Sequence, residues 1–144
     1  VYNVGKELVM SVRIGAIGVQ KVSAKLMEQG FQVSLPVYDS GYDLVTDWNG
    51  RMYRVQVKST KGSEDHTRRK LKFLAVRGPG YGTTAQLSGI KAKKTYSKSD
   101  CDTFIFYHSV LDAMFIVPRH KVPKTKSIYL EPNCKWRDNW NVLK

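Results

Sequence analysis

Asp43, Gln56 and Lys58 are the residues of this 144-residue chain whose types and spacing point most directly to chemistry. They flank Asn49-Gly50, a pair that accepts positive φ at both positions and is the strongest short-range signal for a two-residue hairpin turn. With Asn49 and Gly50 as the loop, residues facing each other across the turn have numbers summing to 99, which sets Asp43 opposite Gln56. Directly opposed Cβ atoms lie about 4.5–5.5 Å apart. Side chains alternate along a strand, so Lys58 shares the face of Gln56, and Arg54 and Val45 continue that face. Leu44, Tyr53, Val55 and Val57 point the other way, toward a core.

A carboxylate and an amide oxygen, with the backbone carbonyl of Val57 beside them, are hard donors that suit Mg2+ or Mn2+ better than Zn2+. A metal held there would polarise a phosphoryl oxygen and lower the pKa of a bound water. A neighbouring lysine orients that water or stabilises charge on a phosphate in the transition state. The same residues on a solvated sheet face are also what a merely soluble hairpin presents. Alternation alone leaves both readings open.

The charge narrows the substrate. Twenty-four Lys and Arg against twelve Asp and Glu leave +12, an excess that attracts a polyanion, nucleic acid first. No apolar stretch approaches the ~18–20 residues that span a bilayer, no basic amphipathic helix suggests a membrane surface, and no signal peptide is recognisable. Cys101 and Cys134 form no metal-ligand spacing and no disulfide framework, so two free thiols in a reducing interior are expected. The expectation is an intracellular protein with no membrane association.

The elements that must position the trio follow from periodicity. One domain is expected over 1–144, with residues 1–10 peripheral and Met10 a candidate native start. Over residues 11–29, Val12, Val19, Val22 and Leu26, with Gly15 filling the gap, form the stripe of an amphipathic helix. Ser11 is the predicted N-cap and Gly30 the stop. Residues 31–35 alternate as a strand ended by Pro36, and residues 42–47 and 51–60 are the arms of the hairpin. Residues 71–77 read as another strand, 78–82 as a glycine-rich loop, and 103–107 and 113–117 as two late strands. The pattern predicts an α/β (mixed α+β) domain around a mixed sheet.

Gly41-Tyr42-Asp43-Leu44-Val45 followed by Tyr53-Arg54-Val55-Gln56-Val57-Lys58 resembles the core of the PD-(D/E)XK nuclease superfamily, which includes restriction enzymes and archaeal Holliday-junction resolvases. Glu28-Gln29-Gly30-Phe31 after the helix looks like the step ahead of that core. Tyr96, Asp102 to Tyr107 and Met114 to Pro118 look like the later strands of a branch containing group I intron homing endonucleases, whose members likewise place glutamine before the final lysine. The resemblance implies a restriction-endonuclease-like core with a flanking helix and a basic β-hairpin extension. It implies a metal-dependent, sequence-specific DNA endonuclease using Mg2+, with Mn2+ as substitute, and Asp43, Gln56, Lys58 and the Val57 carbonyl at its site. Gln56 stands where the superfamily has an acidic residue. The helix glutamate of the family falls near Gly18, Val19 and Gln20. Placing Gln20 there, as catalytic residue and metal ligand, implies a weakened enzyme that Gln20→Glu restores.

Three basic clusters are candidate phosphate contacts: Arg68, Arg69, Lys70 and Lys72; Lys91, Lys93 and Lys94; and Arg119 and Lys121, with Lys124 and Lys126 beyond. Lys70 and Lys72 share one strand face, opposite Leu71 and Phe73, as a groove-binding hairpin requires. Gln86 is a candidate base reader. His66, His108 and His120 have no ligand spacing, Asp100 and Asp102 fit strand ends, and Trp48, Trp136 and Trp140 fit packing roles. The partner expected is double-stranded DNA, and cutting both strands calls for a homodimer or higher symmetric homo-oligomer. A junction resolvase reading DNA shape and a non-catalytic nucleic-acid-binding domain of the same fold are the alternatives.

Overall fold

The computed structural model describes residues 4–62, 70–77 and 94–144. Helix α1 (Val4–Glu28) leads into β1 (Gln32–Ser34), β2 (Leu44–Trp48) and β3 (Arg51–Thr60). Short strands β4 (Leu71–Leu74), β5 (Val76–Arg77) and β6 (Lys94–Thr95) follow. Then come β7 (Thr103–His108), β8 (Ala113–Pro118) and β9 (Ser127–Leu130). The helix begins before the expected N-cap: Ser11 lies inside it and is exposed, and residues 4–10 hold no proline to stop a helix earlier. Its C-terminus is as expected. Gly30 adopts φ +92°, its N–H reaches the Met27 carbonyl at 3.0 Å, and the Phe31 N–H reaches Leu26 at 3.0 Å. These paired bonds close the last helical turn and drive Phe31 into the core beside Leu26.

The main sheet has the order β1-β2-β3-β7-β8, antiparallel except where β3 and β7 run parallel. Every pair between β2 and β3 keeps the expected sum, from Leu44 with Val55 to Trp48 with Arg51. Alternation sorts the central strands onto two cores. Val55, Val57, Ile105, Tyr107, Met114 and Ile116 face α1, where Trp140 and Leu143 of the C-terminal tail also pack. Phe104, Phe106, Phe115 and Val117 face the other way, onto Phe73 of β4 and Ile128 and Leu130 of β9.

Two departures matter for the site. The single strand expected over residues 71–77 is broken at Ala75: β4 pairs with β9, while β5 pairs with β6. The Ala75 N–H bonds Lys126 just beyond the β9 ladder, so the chain exhausts one partner and takes another. The second concerns the helix stripe. Val22 and Leu26 are buried, but Val12 is 48% exposed and Gly15 is exposed, with open space where a Cβ would stand. Gly18 is the buried glycine of the helix, set so closely on Ser59 that a Cβ there would displace the Ser59 hydroxyl. The first half of α1 therefore overhangs the sheet instead of packing on it. Among the described residues no helix is long and apolar enough to cross a membrane.

Candidate active site

β2 begins at Leu44, opposite Val55, whereas β3 continues past that pair to Thr60. The stretch 56–60 therefore has β7 on one side and an unpaired strand edge on the other. A cleft of about 1250 Å3 opens along that edge, walled by the first half of α1, by Lys70, Leu71, Lys72 and Leu74 of the β4 region and by His108. Asp43, Gln56, Val57, Lys58 and Ser59 line it.

Asp43 lies one residue before the ladder begins, so the expected backbone pairing with Gln56 does not form. Its N–H instead reaches back to the Val55 carbonyl at 2.9 Å, and its side chain does the bridging. Oδ2 accepts the Val57 N–H at 2.9 Å and the Gln56 Nε2 at 2.7 Å. The carboxylate thus satisfies a backbone donor that the end of β2 leaves exposed. Gly41, at φ +86° and against Asp100 and Arg77, makes the turn that delivers Asp43 to this spot.

The Gln56 amide nitrogen also lies 3.2 Å from the Val57 carbonyl. One donor atom therefore sits between Asp43 Oδ2 and Val57 O, two oxygens suited to a hard cation. Turning the amide about its last torsion presents Oε1 to the same place, and the two orientations differ only in which end faces the acceptors. The donor set fits a divalent cation held by Asp43, Gln56 and Val57. It includes one carboxylate, and Asp43 is the one acidic residue among the described residues lining the cleft. No group of three His, Cys, Asp or Glu side chains gathers among the described residues.

Burial pushes the Asp43 carboxyl up from its ordinary value, partly offset by the Val57 N–H and the Lys58 charge. Burial likewise lowers Lys58, against the pull of Asp43. The Lys58 ammonium does not close on the carboxylate. It donates to the Val76 carbonyl at 3.0 Å and stands 5.0 Å from the centre of the Tyr96 ring.

Arg54, on the same face, makes a network instead of a cleft contact. Its guanidinium grips Asp102 and the carbonyls of Lys98 and Ser99, the last two at 2.8 Å. Asp102 also accepts the Arg54 N–H, and Asp100 accepts the Ser97 N–H at 2.7 Å. Both aspartates thus tie down the approach to β7, as strand-end residues should.

Gln20 is not brought to the site. It is exposed and absent from the cleft wall. At about 100° per residue, two positions on from buried Gly18 turns a side chain some 160° away from the sheet. Lys70 and Lys72 do line the cleft and are exposed. Lys94 and Lys121 are exposed elsewhere, and Arg119 borders a separate pocket of about 200 Å3 with Tyr96. Arg68, Arg69, Gln86, Lys91, Lys93, His66 and the loop at 78–82 lie outside the described residues. His108 is buried at the cleft's end with Nδ1 accepting the Leu111 N–H, and His120 is exposed. Trp48 packs on Phe31 with ring centres 4.9 Å apart, and Trp136 and Trp140 join the two cores. Both cysteines are free. Sequence reasoning missed the Val76 carbonyl and Tyr96 as neighbours of Lys58, because both depend on the β5–β6 pairing.

The model of the PD-(D/E)XK endonuclease family matches residues 10–142. Among solved structures, that of a bacterial homing endonuclease, I-Ssp6803I, is similar with a TM-score of 0.72 and 21% identity. The similarity covers 92% of this chain and 91% of that one. No curated protein matches the chain.

Proposed function

Because this chain belongs to the PD-(D/E)XK endonuclease family, we propose that it hydrolyses phosphodiester bonds in double-stranded DNA as a metal-dependent, sequence-specific homing endonuclease. The observation that carries the reading is the meeting of Asp43, Gln56 and the Val57 carbonyl within 3.2 Å at an open strand edge, with Lys58 alongside. A homing enzyme is favoured over a junction resolvase by the similarity to a homing endonuclease along nearly the whole of both chains.

Asp43, Gln56 and Val57 would hold the cation, Mg2+ or in its place Mn2+. When bound, it supplies Lewis-acid polarisation of the phosphate and a more acidic water. Asp43 would be its charged ligand, and Gln56 a neutral one, which would keep the site's affinity modest. Lys58 places a positive charge and N–H donors beside the phosphate, where negative charge grows in the transition state. Lys70 and Lys72 contact the neighbouring backbone. Arg68, Arg69, Lys91, Lys93, Lys94, Arg119 and Lys121 add phosphate contacts, and Gln86 reads bases. A symmetric homo-oligomer inside the cell sets one such cleft against each DNA strand.

The test is to incubate the protein with a random duplex library and Mg2+ and to sequence the cut ends. Fixed cut sites, lost in EDTA and reduced about 10²–10³-fold in Lys58→Ala, are the expected result. Cleavage of four-way junctions regardless of sequence would select the resolvase. Tight DNA binding with no cut ends would select a binding domain.

A further inference from the structure

Lys58 lines the cleft, yet nothing on its own hairpin fixes its ammonium. Both of its partners come from the β5–β6 pair. Val76 of β5 supplies the carbonyl at 3.0 Å, and Tyr96, one residue past β6, supplies the ring face at 5.0 Å. Val76 is itself paired with Thr95, so the two partners arrive as one unit. We propose that Tyr96 is a positioning residue: its ring holds the Lys58 ammonium against the Val76 carbonyl and away from Asp43, so that the lysine meets the phosphate and the carboxylate stays free for the cation. The proposal rests on the reading of Lys58 and Asp43 as parts of a nuclease site.

The Tyr96 ring is itself fixed. It stands edge-on to Phe104 of β7, with centres 5.1 Å apart and planes at 88°. The next residue, Ser97, is bound through its N–H and hydroxyl to Asp100 at 2.7 and 2.9 Å. Asp100 pairs with Arg77 of β5 at 3.1 Å. Arg54 holds the carbonyls of Lys98 and Ser99. The ring thus rests on β7, and the segment that follows it is held by the hairpin strand that carries Lys58 and by β5.

A lysine left without such partners has a flexible four-carbon stem and a strongly hydrated point charge. Asp43 is the acidic residue that shares the cleft lining with Lys58, and an ion pair between the two would block the cation and withdraw the donor together. A cation–π contact counters this because it attracts the ammonium without neutralising it, and it is strongest where water is excluded.

The experiment compares Tyr96→Phe, Tyr96→Leu and a fluorinated phenylalanine series at position 96, with Lys58→Met as reference. Single-turnover cleavage is measured at saturating protein, alongside DNA affinity without metal. The ring-current shift of the Lys58 ε-methylene protons is followed by NMR. Tyr96→Phe should stay within about twofold of the parent. Tyr96→Leu should cut roughly tenfold more slowly and need more metal for half-maximal rate, with DNA affinity unchanged. Its ε-methylene signal should lose the upfield shift that the phenylalanine variant keeps. Fluorination, which leaves ring size nearly constant while removing the negative face, should lower the rate in steps, a response that lost packing would not give. Equal rates for the phenylalanine and pentafluorophenylalanine proteins, or for the leucine variant and the parent, overturn the proposal alone. Full cleavage by Lys58→Met overturns it together with the reading beneath it.

Discussion

Replacing Gln56 with glutamate tests the metal site without relying on cleavage. The Gln56 amide donates to Asp43 at 2.7 Å from a residue only 8% exposed. A carboxylate there removes the donor and sets two negative groups in contact. At an effective dielectric constant near 20, two such charges about 3–4 Å apart repel by roughly 4–6 kcal/mol. Keeping a proton at pH 7 on a carboxyl of ordinary pKa near 4.3 costs about 3.7 kcal/mol. Protonation is the cheaper escape, so without metal the pair retains a proton and the fold loses about 3–4 kcal/mol. For a chain of this length that is roughly 10 °C in Tm. The sign with pH follows from linkage. The pair's folded pKa is raised, so stability is present at low pH and is lost as pH rises through that raised value. The deficit should shrink by about 1.4 kcal/mol for each unit of acidification toward pH 5. A divalent cation relieves the repulsion directly. Calorimetry of Gln56→Glu should therefore show a lower Tm than the parent in EDTA and a larger rise on adding Mg2+ or Mn2+. An unchanged Tm in EDTA, or equal metal shifts in the two proteins, would refute the reasoning.

Other consequences are simpler. Gln20→Glu should leave cleavage unchanged, since that side chain is exposed and outside the cleft wall; a rate increase would return Gln20 to the metal site. Gly18→Ala forces a methyl into the Ser59 side chain and should cost about 1–3 kcal/mol by chemical denaturation, with Ser59→Gly in the same chain restoring most of it. Arg54 holds Asp102 below the ordinary aspartate range, as the Ser97 N–H does Asp100. These depressed values give stability that is present above roughly pH 3.9 and lost as pH falls through them. Arg54→Met should flatten the acid limb of the Tm–pH curve. Replacing Lys70 and Lys72 together by alanine should lower the salt dependence of DNA binding, reducing the log–log slope by about two.

How much was legible before folding depended on the range of the interaction. The hairpin register came from two turn residues and simple counting, and it holds pair by pair from Leu44 to Trp48 because Asn49-Gly50 leaves one favourable way to turn. Gly30 ends the helix for an equally local reason, since it takes the positive φ that closes the last turn. The Asp43, Gln56 and Lys58 grouping belongs to this local class, as does the outward face of Lys70 and Lys72. Local pattern failed where a residue's surroundings come from far along the chain. The helix stripe was periodic through Gly15, but whether a face is covered depends on what lies beneath it, and under Gly15 the sheet edge opens into the cleft. The direction of Gln20 is likewise set from afar, by the contact of Gly18 with Ser59, forty-one positions away. The strand over residues 71–77 broke because its two halves found different partners, β9 and β6. Sequence alone thus determined which groups share the hairpin face. Tertiary structure decided that β2 joins the ladder only at Leu44, leaving them exposed, and that Val76 and Tyr96 arrive to hold Lys58. Turns and alternation are properties of neighbouring residues, whereas clefts and lysine partners exist only once distant strands have paired.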